Sequence, residues 1–270
     1  MKRLKVNSIL IFLCCITWFS SCYESVEGCL DPEATNYEVD ADNSCDDCCT
    51  LPTFSILMSY LVDGQSYTDG DTFRVSSQGL MIEDFHFFIS GIQLFDPEGN
   101  EITYEDEFTF YDDLGNGEQV TEDFKFFASN QFRATLEGMR FSGFMDQIQF
   151  KIGLEENINT YDKDSLDANT ELNKVPDEFY LGSNLGYEFY SFQIRDTLDN
   201  YMELRVSNDF PLPAVEVILD DENIRRGFSD QVNLFVDFGS LFDGVDLSAM
   251  DEEQVLEIVK NNFPFAFGKR

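Results

Sequence analysis

The chain has 270 residues, of which 43% are hydrophobic and 28 are Phe. This content of apolar side chains is enough to bury a sizeable core, and it excludes disorder of the whole chain. Its 52 acidic residues outnumber 17 basic ones, which gives a formal net charge of −35. Such a surface repels phosphate backbones and anionic lipid headgroups, so nucleic-acid binding and charge-driven membrane docking are excluded.

Residues 1–21 have the order of a secretion signal. Lys2, Arg3 and Lys5 form a positive start, and an apolar run over residues 9–19 follows. That run is about half of the ~20 apolar residues that span a bilayer, so a permanent transmembrane helix is the poorer interpretation. Removal of residues 1–21 leaves 14 basic residues (17 − 3) against 52 acidic ones, a net charge of −38.

Cys22 follows the signal at the position of a lipid anchor. The segment Phe19-Ser20-Ser21-Cys22 resembles the lipobox of Gram-negative lipoproteins, in which a small residue precedes the cysteine that carries the lipid. The resemblance implies cleavage after Ser21 and attachment to the outer membrane, on its periplasmic or its surface face. The alternative is ordinary cleavage, with Cys22 free or in a disulfide.

Residues 22–52 are predicted to form a lipid-anchored, cysteine-rich spacer. Residues 28–37 resemble the short Gly-Cys-x-Asp-Pro…Asn-Tyr…Cys modules of bacterial surface proteins, which implies a disulfide-stapled element without a reaction of its own. Disulfides are favoured over zinc in an oxidising compartment. Adjacent cysteines rarely bond each other, so we expect Cys48 and Cys49 to pair separately with Cys29 and Cys45, in either assignment.

Residues 53–270 contain short apolar and aromatic runs separated by turn signals such as Asp63-Gly64. Many short strands rich in Phe, Ile and Val predict a mainly β domain, an antiparallel β-sandwich. The predicted strands are 54–62, 85–95, 108–111, 132–136, 148–154, 187–194, 202–206, 215–219 and 232–238.

One short C-terminal α-helix is predicted after Asp251, which can cap it together with Gln254. Val255, Ile258 and Val259 then fall on one helix face. Residues 156–178 are polar and are predicted as a long loop, and loops of that length are often functional.

Three motifs in order resemble the MbnP-like family of extracytoplasmic copper-binding proteins. They are the aromatic strand at residues 85–94 with the Asp-x-x-Gly-Asn turn after it, the strand at residues 148–154, and Val236-Asp237-Phe238 before a short helix. Together they span nearly all of residues 53–270. The resemblance implies a β-sandwich domain with copper as a possible cofactor.

The copper ligands of that family do not carry over to this chain. The resemblance implies histidines and a modified tryptophan as ligands, but Leu181 and Ser183 stand where tryptophans are expected. The only tryptophan is Trp18 in the signal, and the only histidine is His86. Copper sites need several imidazole or sulfur ligands. His86 is therefore an isolated candidate for a metal ligand, and we expect it to be a strand residue with a satisfied hydrogen bond. The many carboxylates favour calcium, bound weakly, over copper.

Enzyme activity is not expected. One histidine and no Gly-x-Ser-x-Gly motif exclude Ser–His and Cys–His hydrolases, and a mature chain without tryptophan counts against a carboxylate glycosidase. Two functions remain: a non-catalytic extracytoplasmic lipoprotein that binds a small ligand or protein of unknown identity, and a cell-surface structural or adhesion scaffold. A deep polar pocket beside residues 156–178 would favour the first, and a flat apolar patch the second.

Overall fold

The computed structural model describes residues 24–45, 47–67, 72–75, 78–111, 114–168 and 170–270. The signal and Cys22 lie outside the described residues. The strands, in chain order, are β1 Glu27–Gly28, β2 Asn43–Ser44, β3 Phe54–Val62, β4 Gln65–Ser66, β5 Phe73–Val75, β6 Gln78–Phe95, β7 Glu101–Ile102, β8 Glu107–Tyr111, β9 Gly117–Thr121, β10 Lys125–Ala128, β11 Arg133–Leu136, β12 Gly143–Ile152, β13 Tyr190–Asp196, β14 Tyr201–Val206, β15 Ala214–Ile224, β16 Asp230–Asp237 and β17 Phe267–Lys269. The helices are α1 Glu156–Asn159, α2 Glu171–Lys174, α3 Phe238–Leu241 and α4 Glu252–Ala266, with 3₁₀ turns at Lys163–Ser165 and Asp177–Phe179.

Two β-sheets pack face to face around an aromatic core. The large sheet has eight strands in the order β14-β13-β6-β12-β15, with β5, β7 and β10 also paired to β6. The small sheet has five strands in the order β11-β3-β16-β17, with β4 paired to β3. Rings join the sheets: Tyr60 lies 4.5 Å from Phe85, and Phe267 lies 5.3 Å from Phe150, centroid to centroid. The predicted mainly β, sandwich-like fold is confirmed.

The neighbouring strands described in these two sheets run antiparallel, except that β3 and β16 pair in parallel. The predicted strand 54–62 coincides with β3. The prediction for residues 85–95 began too late, because β6 starts at Gln78 and its first half carries exposed acidic side chains. The strands that were not predicted are short, and most have too few residues to show an alternation: β1, β2, β4, β5, β7, β9, β10 and β17.

Helix α4 forms as predicted. The carboxylate of Asp251 accepts a hydrogen bond from the Gln254 N–H at 3.0 Å, and the Gln254 side chain accepts one from the Asp251 N–H at 3.0 Å. This capping box satisfies N–H groups that the first helical turn leaves unpaired. Val255 and Val259 are fully buried on the helix face that packs against the sandwich. No helix within the described ranges is long and apolar enough to cross a membrane.

Residues 156–178, predicted as a long loop, contain short helical turns and form a covering layer. Helices α1 and α2 and the two 3₁₀ turns lie here, and each is too short for a helical period to be visible in the sequence. The buried Asn159 fixes the layer, because its Oδ1 accepts from the Tyr187 N–H at 2.8 Å and its Nδ2 donates to Asn208 at 2.6 Å. Tyr187 in turn packs on Phe88 of β6, so the layer covers the outer face of the large sheet.

The cysteine-rich segment is cross-linked by two disulfides, Cys29–Cys49 and Cys45–Cys48. Cys48 and Cys49 thus pair separately, as expected. An ion pair of 2.6 Å between Asp31 and Arg140 attaches this segment to the sandwich. The segment is therefore held against the domain at a defined point.

Candidate functional site

His86 lies in the middle of β6, on the face turned away from the small sheet. Phe85 and Phe87 point into the sandwich, where they contact Tyr60 and Phe267. Because side chains alternate along a strand, His86 points to the opposite face. There its ring lies 3.8 Å from the ring of Phe179, centroid to centroid, and only 3% of the residue is exposed.

The polar neighbour of His86 is Glu188. Its Oε1 lies 3.3 Å from His86 Nε2, yet neither atom has a hydrogen-bond partner of acceptable geometry. His86 is a strand residue as expected, and a backbone hydrogen bond with Glu188 acts on its imidazole, but Nε2 lacks a partner. Burial lowers the pKa of His86 to about 4, with Asp84 opposing and Arg205 reinforcing the change. Burial also raises the pKa of Glu188, and Arg205 opposes this change. Because His86 is neutral at pH 7, it does not form an ion pair with Glu188.

The donor set around His86 does not fit a tight copper site. A cavity of about 210 Å³ borders the imidazole, and its other potential ligands are the carboxylates of Asp84, Glu178, Glu188 and Glu203. One imidazole among hard oxygen donors lacks the several soft ligands that copper needs. Among the described residues, the group of three side chains close enough to share a metal ion is Cys45, Cys48 and Cys49, and these cysteines are disulfide-bonded.

A second polar site surrounds Lys125 on β10. Lys125 is 2% exposed, and its Nζ donates to Asp106 Oδ2 and to Glu122 Oε1, both at 2.8 Å. Burial alone would lower the pKa of Lys125, but Glu122 and Asp106 outweigh it and the pKa is raised. The ammonium is therefore charged at neutral pH. Burial raises the pKa of Asp106, although the nearby Lys125 opposes the change.

These charged groups line a cavity of about 320 Å³, which we call the Lys125 cavity. The covering layer supplies Thr170 and Glu171 to its wall. Glu122 Oε2 accepts from the Glu171 N–H at 3.3 Å, and Gln131 donates to Glu171 Oε1 at 3.1 Å. The buried Oγ1 of Thr170 has no hydrogen-bond partner. Six carboxylates and three basic groups line this cavity: Asp106, Glu107, Glu122, Glu137, Asp167 and Glu171, with Lys125, Arg133 and Lys174.

The Lys125 cavity was not predicted from the sequence. A signal was present, because Lys125 interrupts the aromatic run Phe124-Lys125-Phe126-Phe127, where a strand would bury it. A buried lysine needs an acidic partner. The residues that meet this need come from other segments of the chain, and their proximity depends on the tertiary fold.

Two of three comparisons with known proteins found a similarity. The structure of MbnP from Methylosinus trichosporium matches with a TM-score of 0.46 and 10% sequence identity, and the match covers 73% of this chain and 79% of that chain. No curated protein sequence matches the chain. The MbnP family model matches residues 52–258, which is well over half of the chain. On that match, the chain belongs to the MbnP family.

Proposed function

We propose that this protein is a non-catalytic extracytoplasmic lipoprotein that binds a small ligand in the Lys125 cavity and does not hold copper tightly at His86. The observation that carries the proposal is the cavity itself, about 320 Å³ of space beside residues 156–178. That volume lies at the lower end of the range of about 300–1,000 Å³ for small-molecule sites. A preformed polar pocket at this place favours a binding protein over a surface scaffold.

The energetics of the Lys125 cavity support the same choice. Burying an ammonium and its carboxylate partners costs desolvation energy, and a packed apolar cluster of the same volume is often as stable or more stable. A domain that served only as a scaffold would gain nothing from Lys125, Asp106 and Glu122 at this place. Ligand recognition is a function that uses these charges.

The same geometry supports a non-catalytic function. A lysine that acts as a base or nucleophile needs a lowered pKa, whereas the pKa of Lys125 is raised by two carboxylates. His86 is neutral at pH 7, but it lies under the ring of Phe179 and is almost fully buried. Neither residue is placed to exchange protons with a substrate.

Copper binding is tested by competition. We expect the oxidised protein to leave Cu(I) with a chromogenic chelator, and His86→Ala to give the same titration curve, because one imidazole among carboxylates is a weak Cu(I) donor set. Oxidation keeps the four disulfide cysteines from supplying thiolates. Stoichiometric copper retention in the wild type that disappears in His86→Ala would contradict the proposal and make His86 a true copper ligand.

Membrane attachment is tested at Cys22. Cys22→Ala is expected to move the mature protein from the membrane fraction almost completely into the soluble fraction, because the thiol that would carry the lipid is gone. The measurement is fractionation of cells that express either form, with labelled fatty acid to detect the modification. The disulfide variant Cys45→Ala is the matched control and should stay with the membrane. A Cys22→Ala protein that still pellets, with no label on the wild type, would refute lipidation.

A further inference from the structure

The Lys125 cavity carries more negative than positive charge at its inner end. Three buried carboxylates, those of Asp106, Glu122 and Glu171, face one buried ammonium, that of Lys125. Lys174 lies 3.7 Å from Glu171 Oε2, but its side chain is 60% exposed and is screened by water. Over the whole lining, six acidic groups face three basic ones. The cavity therefore attracts a cation.

The hydrogen-bond pattern leaves acceptors for such a ligand. Within the described part of the chain, the hydrogen bonds to Asp106 come from Lys125 and from the Glu137 N–H, and both fall on Oδ2, which leaves Oδ1 for a ligand. Thr170 Oγ1 is buried and unpartnered in the cavity wall. A buried hydroxyl without a partner is unfavourable unless a bound molecule completes its hydrogen bonding. This hydroxyl is independent of the acidic groups, and a bound N–H donor would complete its hydrogen bonding.

A metal ion fits this arrangement poorly. Calcium gathers six to eight oxygen atoms at about 2.3–2.6 Å. No three carboxylates among the described residues of the cavity bring their oxygens close enough together to share an ion. The cavity therefore offers hydrogen-bond acceptors that lie apart from one another.

We propose that the Lys125 cavity binds a small organic cation through an ammonium or guanidinium group, with Asp106 and Glu171 as charged acceptors and Thr170 as a neutral one. This inference rests on the proposed binding function and names the chemical class of its ligand. An ammonium or guanidinium carries several N–H donors that reach separate acceptors at ordinary hydrogen-bond distances. The cavity of about 320 Å³ limits the ligand to a small amine.

The test uses the purified mature protein and three probes at equal ionic strength: putrescine, agmatine and tetramethylammonium. We expect putrescine or agmatine to bind saturably in calorimetry and to raise the melting temperature. Tetramethylammonium should do neither, because it has the charge but no N–H donor. Glu171→Gln and Thr170→Val should fold normally and weaken binding, the former about tenfold, which is the effect of one charge-assisted hydrogen bond. Glu216→Gln, which removes an exposed charge from β15, is the matched control and should bind as the wild type does.

Four results would overturn the inference. Tetramethylammonium binding as tightly as the amines would mean that charge alone is sensed. Calcium that stabilises the wild type but not Glu171→Gln would make the cavity a metal site. A neutral or anionic molecule found in the native protein by mass spectrometry, and lost in Thr170→Val, would leave the binding function intact while refuting the cation. If no probe binds and no molecule is retained, the proposed binding function fails as well.

Discussion

Lys125→Met is expected to lower the free energy of unfolding at pH 7 by about 3–5 kcal/mol, the usual effect of removing one partner from a buried ion pair. The substitution keeps the length and apolar stem of the side chain but removes the ammonium. In the wild type, Asp106 and Glu122 each lie 2.8 Å from the Lys125 ammonium. In the variant, the two carboxylates are left buried near each other without this shared cation. Urea denaturation at pH 7 measures the loss.

The same variant has a characteristic pH dependence. Burial already raises the pKa of Asp106, and loss of Lys125 removes a group that opposes this change. In the variant the folded state therefore takes up a proton at a higher pH than the unfolded state does. Stability relative to the wild type then rises as the pH falls from 7 toward the ordinary carboxyl pKa of about 4.

Lys174→Met is the matched control for Lys125→Met. It removes the same charge from the same cavity, but the Lys174 side chain is 60% exposed and lies 3.7 Å from Glu171. We expect a loss below about 1 kcal/mol, as for exposed ion pairs. Equal effects of the two substitutions, or a Lys125→Met loss that does not change with pH, would contradict the buried ion pairing of Lys125 with Asp106 and Glu122.

Much of the fold could be predicted from local patterns in the sequence. The alternation of apolar residues predicted β3, and the Asp251/Gln254 pair predicted where α4 begins. The Asp63-Gly64 turn adopts positive φ at both residues, which this residue pair tolerates in a tight hairpin. The parallel pairing of β3 with β16 could not be predicted, because it joins Phe54 to Asp230 across most of the chain. Pairings of that kind depend on tertiary packing.

The candidate sites were less predictable than the fold. His86 stood out only because it is the single histidine, and nothing near it in sequence indicated Glu188. That contact follows from the pairing of β6 with β13, which places His86 opposite Ser191. Lys125 was missed because its partners, Asp106 and Glu122, look like ordinary surface acids in a chain with 52 acidic residues. In a sequence with this many acidic residues, the few that are buried cannot be distinguished from the exposed ones.

The acid sensitivity of His86 is the second large effect. The pKa is about 4 in the folded protein against 6.5 for an unperturbed histidine, because burial disfavours the imidazolium. Between these values the unfolded state binds more protons than the folded state. The contribution of neutral His86 is therefore fully present above pH 6.5 and is lost as the pH falls to 4, by about 3 kcal/mol in all.

The comparison with His86→Gln isolates this effect. The variant keeps a polar side chain but cannot titrate, and Glu188, whose raised pKa acts in the opposite direction, is present in both proteins. We expect the stability of the wild type minus that of the variant to fall by about 3 kcal/mol from pH 6.5 to pH 4. Proton NMR gives a direct check, since a chain with one histidine shows one imidazole to titrate. A folded-state midpoint near 4 would support the buried, neutral His86, whereas a midpoint of 6 or above would mean that the imidazole is solvated and free to meet a ligand.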